Sequence, residues 1–263
     1  MANTTVLWDI DRRGVATVAL NRPDVNNAYD GELIQGLHAA MDDLGKRREL
    51  RVVVLKGNGR HFQAGADLKW LRQVGAESEA ENVRVSRATA EATHRLNTLP
   101  VPTVALIQGG CFGGGTGFAA VCDVVIAADN AIFSISETRW GLMAGIIIPQ
   151  LNDAMGIRQV RRYALTGERF DAYEARRIGL VHEVVSAAEL ESRGARLVDQ
   201  LLQNAPEATA QTKAVTLESA WTAVASPAFD RLIAQHAAKR RSPEAVEGLA
   251  SFAEKRAARW YPA

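Results

Sequence analysis

The sequence contains little cysteine and almost no net charge. Only two of its 263 residues, Cys111 and Cys122, are cysteines, and both lie in apolar stretches. We therefore expect free, buried thiols in a reducing compartment rather than a disulfide. The formal net charge of +1 creates no field that would favour nucleic acid or an anionic membrane surface as a partner. The five histidines have no HExxH or CxxC pattern near them, so we expect no metal site.

Long apolar runs are also absent. No stretch of about 18 uncharged apolar residues occurs, so no segment is predicted to span a bilayer. Residues 1–11 lack a basic patch followed by an apolar run, so we expect no signal peptide. Hydrophobic residues make up 47% of the chain and charged residues 23%, which is typical of globular proteins. These absences predict a soluble, cytoplasmic protein without a membrane partner.

What the sequence does contain is an alternation of short β-branched runs with helical patterns. Asp30 is placed to cap a helix, and a polar helix is predicted over Glu79–Asn97. Several apolar runs are of the kind found in strands that are buried on both faces. The predicted strands are Val15–Leu20, Val52–Leu55, Val104–Ile107 and Val124–Ala127, with Ala131–Ile135 pairing nearby. This alternation predicts an α/β fold.

From about Pro206 the pattern becomes helical. The Ala-rich stretches are Ala208–Val224, Ala228–Arg240 and Pro243–Trp260. The second and third begin close to Ser-Pro pairs, which are typical of a cap followed by the first helical position. We predict two parts, an α/β core over residues 1–200 and a helical region over 201–263. Because three helices bury little surface alone, the helical region should pack on the core or on other subunits.

Two glycine-rich junctions follow predicted buried strands, one over His61–Leu68 and one over Gly109–Gly117. Small residues let a ligand approach the backbone, and a turn that enters a helix leaves amide N–H groups without internal partners. The second junction lacks the Lys-Ser/Thr of a phosphate loop and the spacing of a dinucleotide site. Either junction alone is more often explained by tight packing.

Five motifs carry a resemblance to a known family. They are Ala64-Gly65-Ala66-Asp67-Leu68, Gly113-Gly114-Gly115, Cys122-Asp123, Phe133-Ser134-Ile135-Ser136-Glu137 with Gly141-Leu142, and Phe252-Ala253-Glu254-Lys255-Arg256. In this order they resemble the enoyl-CoA hydratase/isomerase family, also called the crotonase superfamily. The resemblance implies a crotonase-type spiral of repeated strand–strand–helix units with a C-terminal helical trimerisation region. It also implies an acyl-CoA substrate, no separate cofactor, and a homotrimer or a hexamer made of two trimers.

The resemblance implies three catalytic residues. The backbone N–H groups of Ala66 and Gly114 match the family's oxyanion hole, in which each donor stabilises a thioester enolate by roughly 3–4 kcal/mol. Glu137 matches the catalytic carboxylate, and apolar neighbours would favour its protonated form. Without the resemblance, the pair Ser136-Glu137 would be interpreted as a cap for the helix that follows.

Substrate-binding residues are implied as well. The segment Ala64–Leu68 matches a contact to the adenine and pantetheine of coenzyme A, and the loop Asp24–Asn27 matches a second adenosine contact. Lys255 matches a tail lysine that reaches a nucleotide phosphate in a neighbouring subunit, although a solvated helix lysine is an equal alternative. The implied binding residues are Ala64, Gly65, Asp67, Leu68, Asp24, Val25, Asn27, Gly113 and Lys255.

Gly117 departs from the family pattern, because hydratases of the family usually carry a second glutamate there. A single carboxylate is enough to move a proton between two carbons, which favours an isomerase. A single carboxylate also suffices for hydration if it takes a proton from water and returns it to Cα. The missing side chain further suggests free space for a substituent on the substrate.

A finer resemblance favours a hydratase. The stretches Phe112–Gly117, Ser136–Leu142 and Ile146–Pro149 are similar to hydratases of branched glutaconyl-CoA, which also have glycine at the position of Gly117. Such enzymes act on 3-isohexenylglutaconyl-CoA in acyclic terpene degradation or on 3-methylglutaconyl-CoA in leucine degradation. The small and apolar residues 141–148 favour the isohexenyl substrate.

The free carboxylate of a glutaconyl group requires a partner. Arg139 is the candidate, because a guanidinium grips a carboxylate with two bonds. In an extended segment, Arg139 and Glu137 would share a face. A structural ion pair is the alternative role for Arg139.

Two further hypotheses assign the same fold to the chain but no catalytic activity. A non-catalytic acyl-CoA-binding protein is disfavoured by the presence of Glu137 beside both oxyanion motifs. An RNA-binding protein is disfavoured by the near-zero charge and by the lack of basic runs interleaved with aromatic residues.

Overall fold

A sheet of six strands lies at the centre of the computed structural model, which describes residues 4–219 and 243–260. Its first strand is antiparallel to the second, and every later pair of neighbours is parallel. In spatial order the strands are β1 (Val6–Ile10), β2 (Val15–Leu20), β3 (Val52–Gly57), β4 (Thr103–Ile107), β6 (Val124–Ala128) and β9 (Glu183–Val185). The predicted α/β class and four of the predicted strands are confirmed.

A second, three-stranded sheet consists of β5 (Gly110–Phe112), β7 (Ile132–Ser134) and β8 (Phe170–Asp171). The strand expected at Ala131–Ile135 exists, but it pairs with β5 and not with β6. A tight turn follows β6, in which the N–H of Ala131 donates to the carbonyl of Ala128 at 2.9 Å. This turn directs the chain away from the central sheet.

Helices connect the strands. The described α-helices are α1 (Gly31–Leu44), α2 (Leu68–Gly75), α3 (Glu79–Asn97), α4 (Gly114–Ala120), α5 (Ile148–Met155), α6 (Ile157–Thr166), α7 (Ala172–Arg177), α8 (Leu190–Leu202), α9 (Pro206–Ser219) and α10 (Pro243–Ala253). The predicted cap is confirmed, since a carboxylate oxygen of Asp30 accepts from the N–H of Leu33 at 3.0 Å. Short 3-10 helices lie at Pro23–Val25, Glu137–Trp140 and Ala187–Glu189.

The central sheet is buried on both faces, as its apolar strands predict. In β3, Val53 and Leu55 join the large core cluster that includes α1, whereas Val52 and Val54 join a second cluster that includes α8. Successive side chains of a strand point to opposite faces, so one short run of valines serves both cores. The two cysteines are free and buried, as expected, and burial raises the pKa of the Cys122 thiol to about 12.

The C-terminal helices begin where the sequence suggests, with one adjustment. The expected boundary between residues 200 and 201 falls inside α8, which packs on β3, β4 and β6, so the chain leaves the core only after Leu202. The stretch Ala228–Arg240 lies outside the described residues. Within 4–219 and 243–260, no helix is both long and apolar enough to cross a bilayer.

Candidate active site

Both glycine-rich junctions open into one large cavity. Its volume is about 880 Å³, and its walls come from the carboxyl ends of the strands, from α2 and α3, and from the loop over residues 142–147. The cavity is lined by Ala64, Gly65, Ala66 and Leu68 from the first junction, by Gly113 and Gly114 from the second, and by Glu137. Residues that are distant in the sequence therefore meet at one concave site.

Two backbone N–H groups in this cavity lack a protein partner. No hydrogen-bond acceptor for the N–H of Ala66 or of Gly114 exists among residues 4–219 and 243–260. Gly114 is the first residue of α4, so its N–H also lies at the positive end of the helix dipole. Two free donors at the wall of one cavity are suited to an oxygen that becomes negatively charged.

The first junction is held in shape by its neighbours. The N–H of Gly65 donates to the side-chain oxygen of Gln63 at 2.8 Å. Gly65 has a φ of +88°, and a Cβ there would lie 3.1 Å from the carbonyl oxygen of Phe112. Glycine is required at this position because both the backbone conformation and the close approach to the second junction exclude a side chain.

Glu137 follows β7 at the start of a 3-10 helix and turns its carboxylate toward the second junction. Its Oε1 lies 3.1 Å from the place where a Cβ of Gly113 would be. Its Oε2 is buried without a hydrogen-bond donor among the described residues. Burial in these surroundings raises the pKa of Glu137. The alternative of a capping role is wrong, because Ser136 is the N-cap residue and no side-chain cap bond is present.

The space expected beside Gly117 is not free. A Cβ at Gly117 would lie 2.3 Å from Cγ2 of Ile147, a residue that is only 3% exposed. Ile147 thus fills the volume that a second glutamate would need. The expectation that a substituent of the substrate occupies this position is therefore wrong.

Two arginines line the cavity. Arg139 donates from Nε to the carbonyl of Gly167 at 2.9 Å, and the guanidinium of Arg169 lies 5.5 Å from the ring centre of Phe112. Neither forms an ion pair within the part of the chain that the structure describes. The segment at Arg139 is a 3-10 helix and not an extended strand, so the expected alternation with Glu137 does not apply, although both residues line the cavity.

The remaining predicted residues have different surroundings. Asp67 caps α2 and lies 3.5 Å from the guanidinium of Arg22. Asp24 and Val25 are exposed in the first 3-10 helix and do not line the cavity. Lys255 is exposed in the turn that follows α10 and lies outside this cavity as well.

Asn27 is fully buried, which corrects the expectation of a ligand contact. Its side-chain amide donates to the carbonyls of Asn58 and His61 at 2.9 and 2.8 Å. Its side-chain oxygen accepts from the N–H of Arg22. All these partners are protein groups, so Asn27 holds loops together.

Several lining residues were not predicted from the sequence. Tyr29 and Trp70 pack edge to face with ring centres 6.0 Å apart and reach the site from two helix starts. Ile147 lies in the apolar stretch Ile146–Pro149, but no local feature of the sequence indicates that its side chain packs against Gly117. Arg169 has no local signal, because it lies in the short loop between α6 and β8, a strand of only two residues.

This arrangement defines a class of enzyme. Two aimed amides and one desolvated carboxylate allow a proton to be moved near a carbonyl group while the resulting enolate oxygen is stabilised. Within the described residues, no group of three or more His, Cys, Asp or Glu side chains is arranged to hold a metal ion.

Comparison with known proteins agrees with this class. The model of the family "Enoyl-CoA hydratase/isomerase" matches residues 11–262. The hydroxycinnamoyl-CoA hydratase-lyase of Pseudomonas fluorescens is 35% identical over 73% of this chain and 71% of its own. The mitochondrial Delta(3,5)-Delta(2,4)-dienoyl-CoA isomerase of Dictyostelium discoideum is 30% identical over 94% and 87%. The structure of an enoyl-CoA hydratase from Shewanella pealeana has a TM-score of 0.93 at 32% identity and covers 97% and 96%.

The chain belongs to the enoyl-CoA hydratase/isomerase family. It has the crotonase fold and acts on acyl-CoA thioesters as a hydratase or isomerase. This activity is consistent with the expected enzyme class, a hydro-lyase.

Proposed function

We propose that this protein is a hydratase of branched glutaconyl-CoA, with 3-isohexenylglutaconyl-CoA as the preferred substrate and 3-methylglutaconyl-CoA as the next. The observation that carries the proposal is a pair of arginines, Arg139 and Arg169, that line the cavity of Glu137 without an ion-pair partner among the described residues. A free carboxylate on the acyl group would supply that partner.

One carboxylate suffices for the reaction. Glu137 takes a proton from water while the water oxygen forms a bond to Cβ. The electrons of the double bond move through Cα to the thioester oxygen, whose charge the N–H groups of Ala66 and Gly114 stabilise. Glu137 then returns the proton to Cα, so that one water is added and the carboxylate is regenerated.

The preference for a large acyl group is supported by the walls of the cavity. Leu71, Val74 and Val85 line it from α2 and α3, and Ile146 lines it from the loop before α5. Apolar walls of this kind favour an apolar branch over a methyl group, because more surface leaves water on binding.

A second candidate is an enoyl-CoA isomerase. It is favoured by one observation: Ile147 fills the space beside Gly117, so Glu137 is the carboxylate that remains. Moving a proton from Cγ to Cα needs only this base.

The test compares wild type with Glu137→Gln on 3-isohexenylglutaconyl-CoA, 3-methylglutaconyl-CoA, crotonyl-CoA and a 3-enoyl-CoA. We expect water addition to the glutaconyl substrates, detected by mass, and a loss of at least about 100-fold in kcat in the variant. Migration of the double bond without water uptake would show instead that the protein is an enoyl-CoA isomerase.

The role of the arginines is tested separately. Arg139→Ala and Arg169→Ala should raise KM for the glutaconyl substrates by about tenfold or more while the KM for crotonyl-CoA, which has no free carboxylate, stays constant. An equal effect on both substrates would refute recognition of a carboxylate.

We also propose a homotrimer, or a hexamer of two trimers, located in the cytoplasm. Exposed apolar side chains support the assembly, since Trp140, Met143 and Leu165 are 60%, 84% and 71% exposed in the single chain. Light scattering that gives a monomer would contradict it.

A further inference from the structure

Tyr29 connects the two halves of the oxyanion hole. Its backbone pairs with Ala66: the N–H of Tyr29 donates to the carbonyl of Gly65 at 2.9 Å, and the N–H of Asp67 donates to the carbonyl of Tyr29 at 2.8 Å. Residues on both sides of Ala66 are thereby held by one residue. The N–H of Ala66 itself is left free to face the cavity.

The side chain of Tyr29 extends to Gly114, the residue whose N–H group forms the other half of the oxyanion hole. Its ring lies against Gly114, because a Cβ there would be 2.6 Å from Cε1 and 3.3 Å from both Cζ and the hydroxyl oxygen. Trp70 packs against the ring with an interplanar angle of 71° and limits its movement. The hydroxyl group of Tyr29 is therefore held beside the free N–H of Gly114.

This hydroxyl group has no hydrogen-bond partner within residues 4–219 and 243–260. Burial, and to a smaller extent the charge of Glu137, raise the pKa of the Tyr29 phenol. The phenol therefore stays protonated at neutral pH and acts as a donor. A partly buried donor without an acceptor costs free energy unless a ligand supplies one.

We propose that the Tyr29 hydroxyl donates a third hydrogen bond to the thioester oxygen of the substrate, alongside the N–H groups of Ala66 and Gly114. The proposal rests on the enolate chemistry given above for this site. The O–H bond of Tyr29 stays intact throughout, because Glu137 carries the transferred proton.

The test is Tyr29→Phe, which removes the hydroxyl and keeps the ring against Gly114. We expect kcat to fall roughly 10- to 100-fold with KM changed less than about twofold, because the bond strengthens as charge develops on the oxygen. A second readout needs no turnover. Bound 4-(dimethylamino)cinnamoyl-CoA absorbs at longer wavelength when its carbonyl oxygen accepts hydrogen bonds, and this red shift should be smaller in Tyr29→Phe.

Two controls complete the experiment. Tyr173→Phe removes the hydroxyl of an exposed tyrosine outside the cavity and should match the wild type. Tyr29→Leu removes ring and hydroxyl together and should lose at least as much kcat as Tyr29→Phe.

Wild-type kcat in Tyr29→Phe would overturn the proposal, even if Tyr29→Leu were inactive, because the ring alone would then matter. An unchanged red shift in Tyr29→Phe would also overturn it. These outcomes differ from failure of the proposed function, which would appear as migration of the double bond without water uptake in the wild type.

Discussion

Glu137 combines two properties that oppose each other. Among the described residues no donor reaches its buried Oε2, which destabilises the charged form, yet the proposed reaction needs that form to take a proton from water. The raised pKa of Glu137 is the consequence. A carboxylate with a raised pKa is a stronger base than an ordinary glutamate, which helps it to take a proton that it returns in the next step.

Replacing Glu137 by Gln should therefore stabilise the fold in a pH-dependent way. Because the folded pKa is raised, the folded state binds more protons than the unfolded state between the two pKa values. The free energy of unfolding of the wild type then decreases as pH rises through this window. Gln does not titrate. The Tm advantage of Glu137→Gln should be smallest below the unfolded pKa of about 4.3 and largest above the folded pKa.

Thermal unfolding of both proteins from about pH 4 to about pH 8 measures this difference. Glu77→Gln, at an exposed glutamate, is the matched control and should show little pH dependence relative to wild type. A Tm difference for Glu137→Gln that is the same at acid and neutral pH would contradict the burial of its charge.

At the level of secondary-structure elements, the starts of α1 and α2 depend on one arginine. Asp30 caps α1 and Asp67 caps α2, and the guanidinium of Arg22 lies 2.9 Å and 3.5 Å from the two carboxylates. Arg22 also donates to the carbonyl of Ala28. The start of α2 follows Ala66 directly, so this network supports one wall of the active site.

Arg22→Ala should lower the free energy of unfolding by about 2 kcal/mol, because it leaves two partly buried carboxylates without their cation. Urea unfolding measures this change. Arg22→Ala should also weaken binding of an acyl-CoA, since the residues around Ala66 lose support. Arg13→Ala is the control: Arg13 pairs with Asp11 and Asp199 at an exposed position, and its loss should cost less than about 1 kcal/mol. Equal losses would refute the special role of Arg22.

At the level of the whole molecule, a nearly buried lysine joins the C-terminal helices to the core. Lys213 of α9 lies 2.7 Å from a carboxylate oxygen of Asp123, and its side chain is only 9% exposed. The same carboxylate oxygen accepts from the N–H and the hydroxyl of Thr103 at the start of β4. Lys213 also donates to the carbonyl of Val101, so α9 is fixed to the entrance of a central strand.

Lys213→Met should destabilise the protein by about 3 kcal/mol, since Asp123 loses its cation in partly buried surroundings. Hydrogen exchange should accelerate in α9 before it does in β4, because α9 depends on this pair for its attachment. Lys56→Met removes a more exposed pair with Glu191 and should cost less than about 1 kcal/mol. Uniform acceleration over the whole chain would show that Lys213 does not act on α9 in particular.

Much of the fold was predictable from local patterns. The bounds of β2 and α3 agree with the expected ranges, and Asp30 caps α1 as expected. Caps and side-chain periodicity act within a few residues, so the sequence encodes them directly. The pairing of β7 with β5 was not predictable in this way, because a turn outside either strand decides it.

The same distinction between local patterns and long-range contacts applies to the residues of the candidate site. The resemblance of the chain's motifs to the family selected Ala66, Gly114 and Glu137 as candidates. Local patterns alone favoured tight packing at the glycine-rich turns and a cap at Glu137. Only the folded chain shows that Ile147 occupies the space over Gly117 and that Asn27 is buried. The same holds for Tyr29, whose backbone pairs with Ala66 and whose ring lies against Gly114. Each of these depends on contacts between segments far apart in the sequence, and local composition carries no information about which distant side chain will fill a given volume.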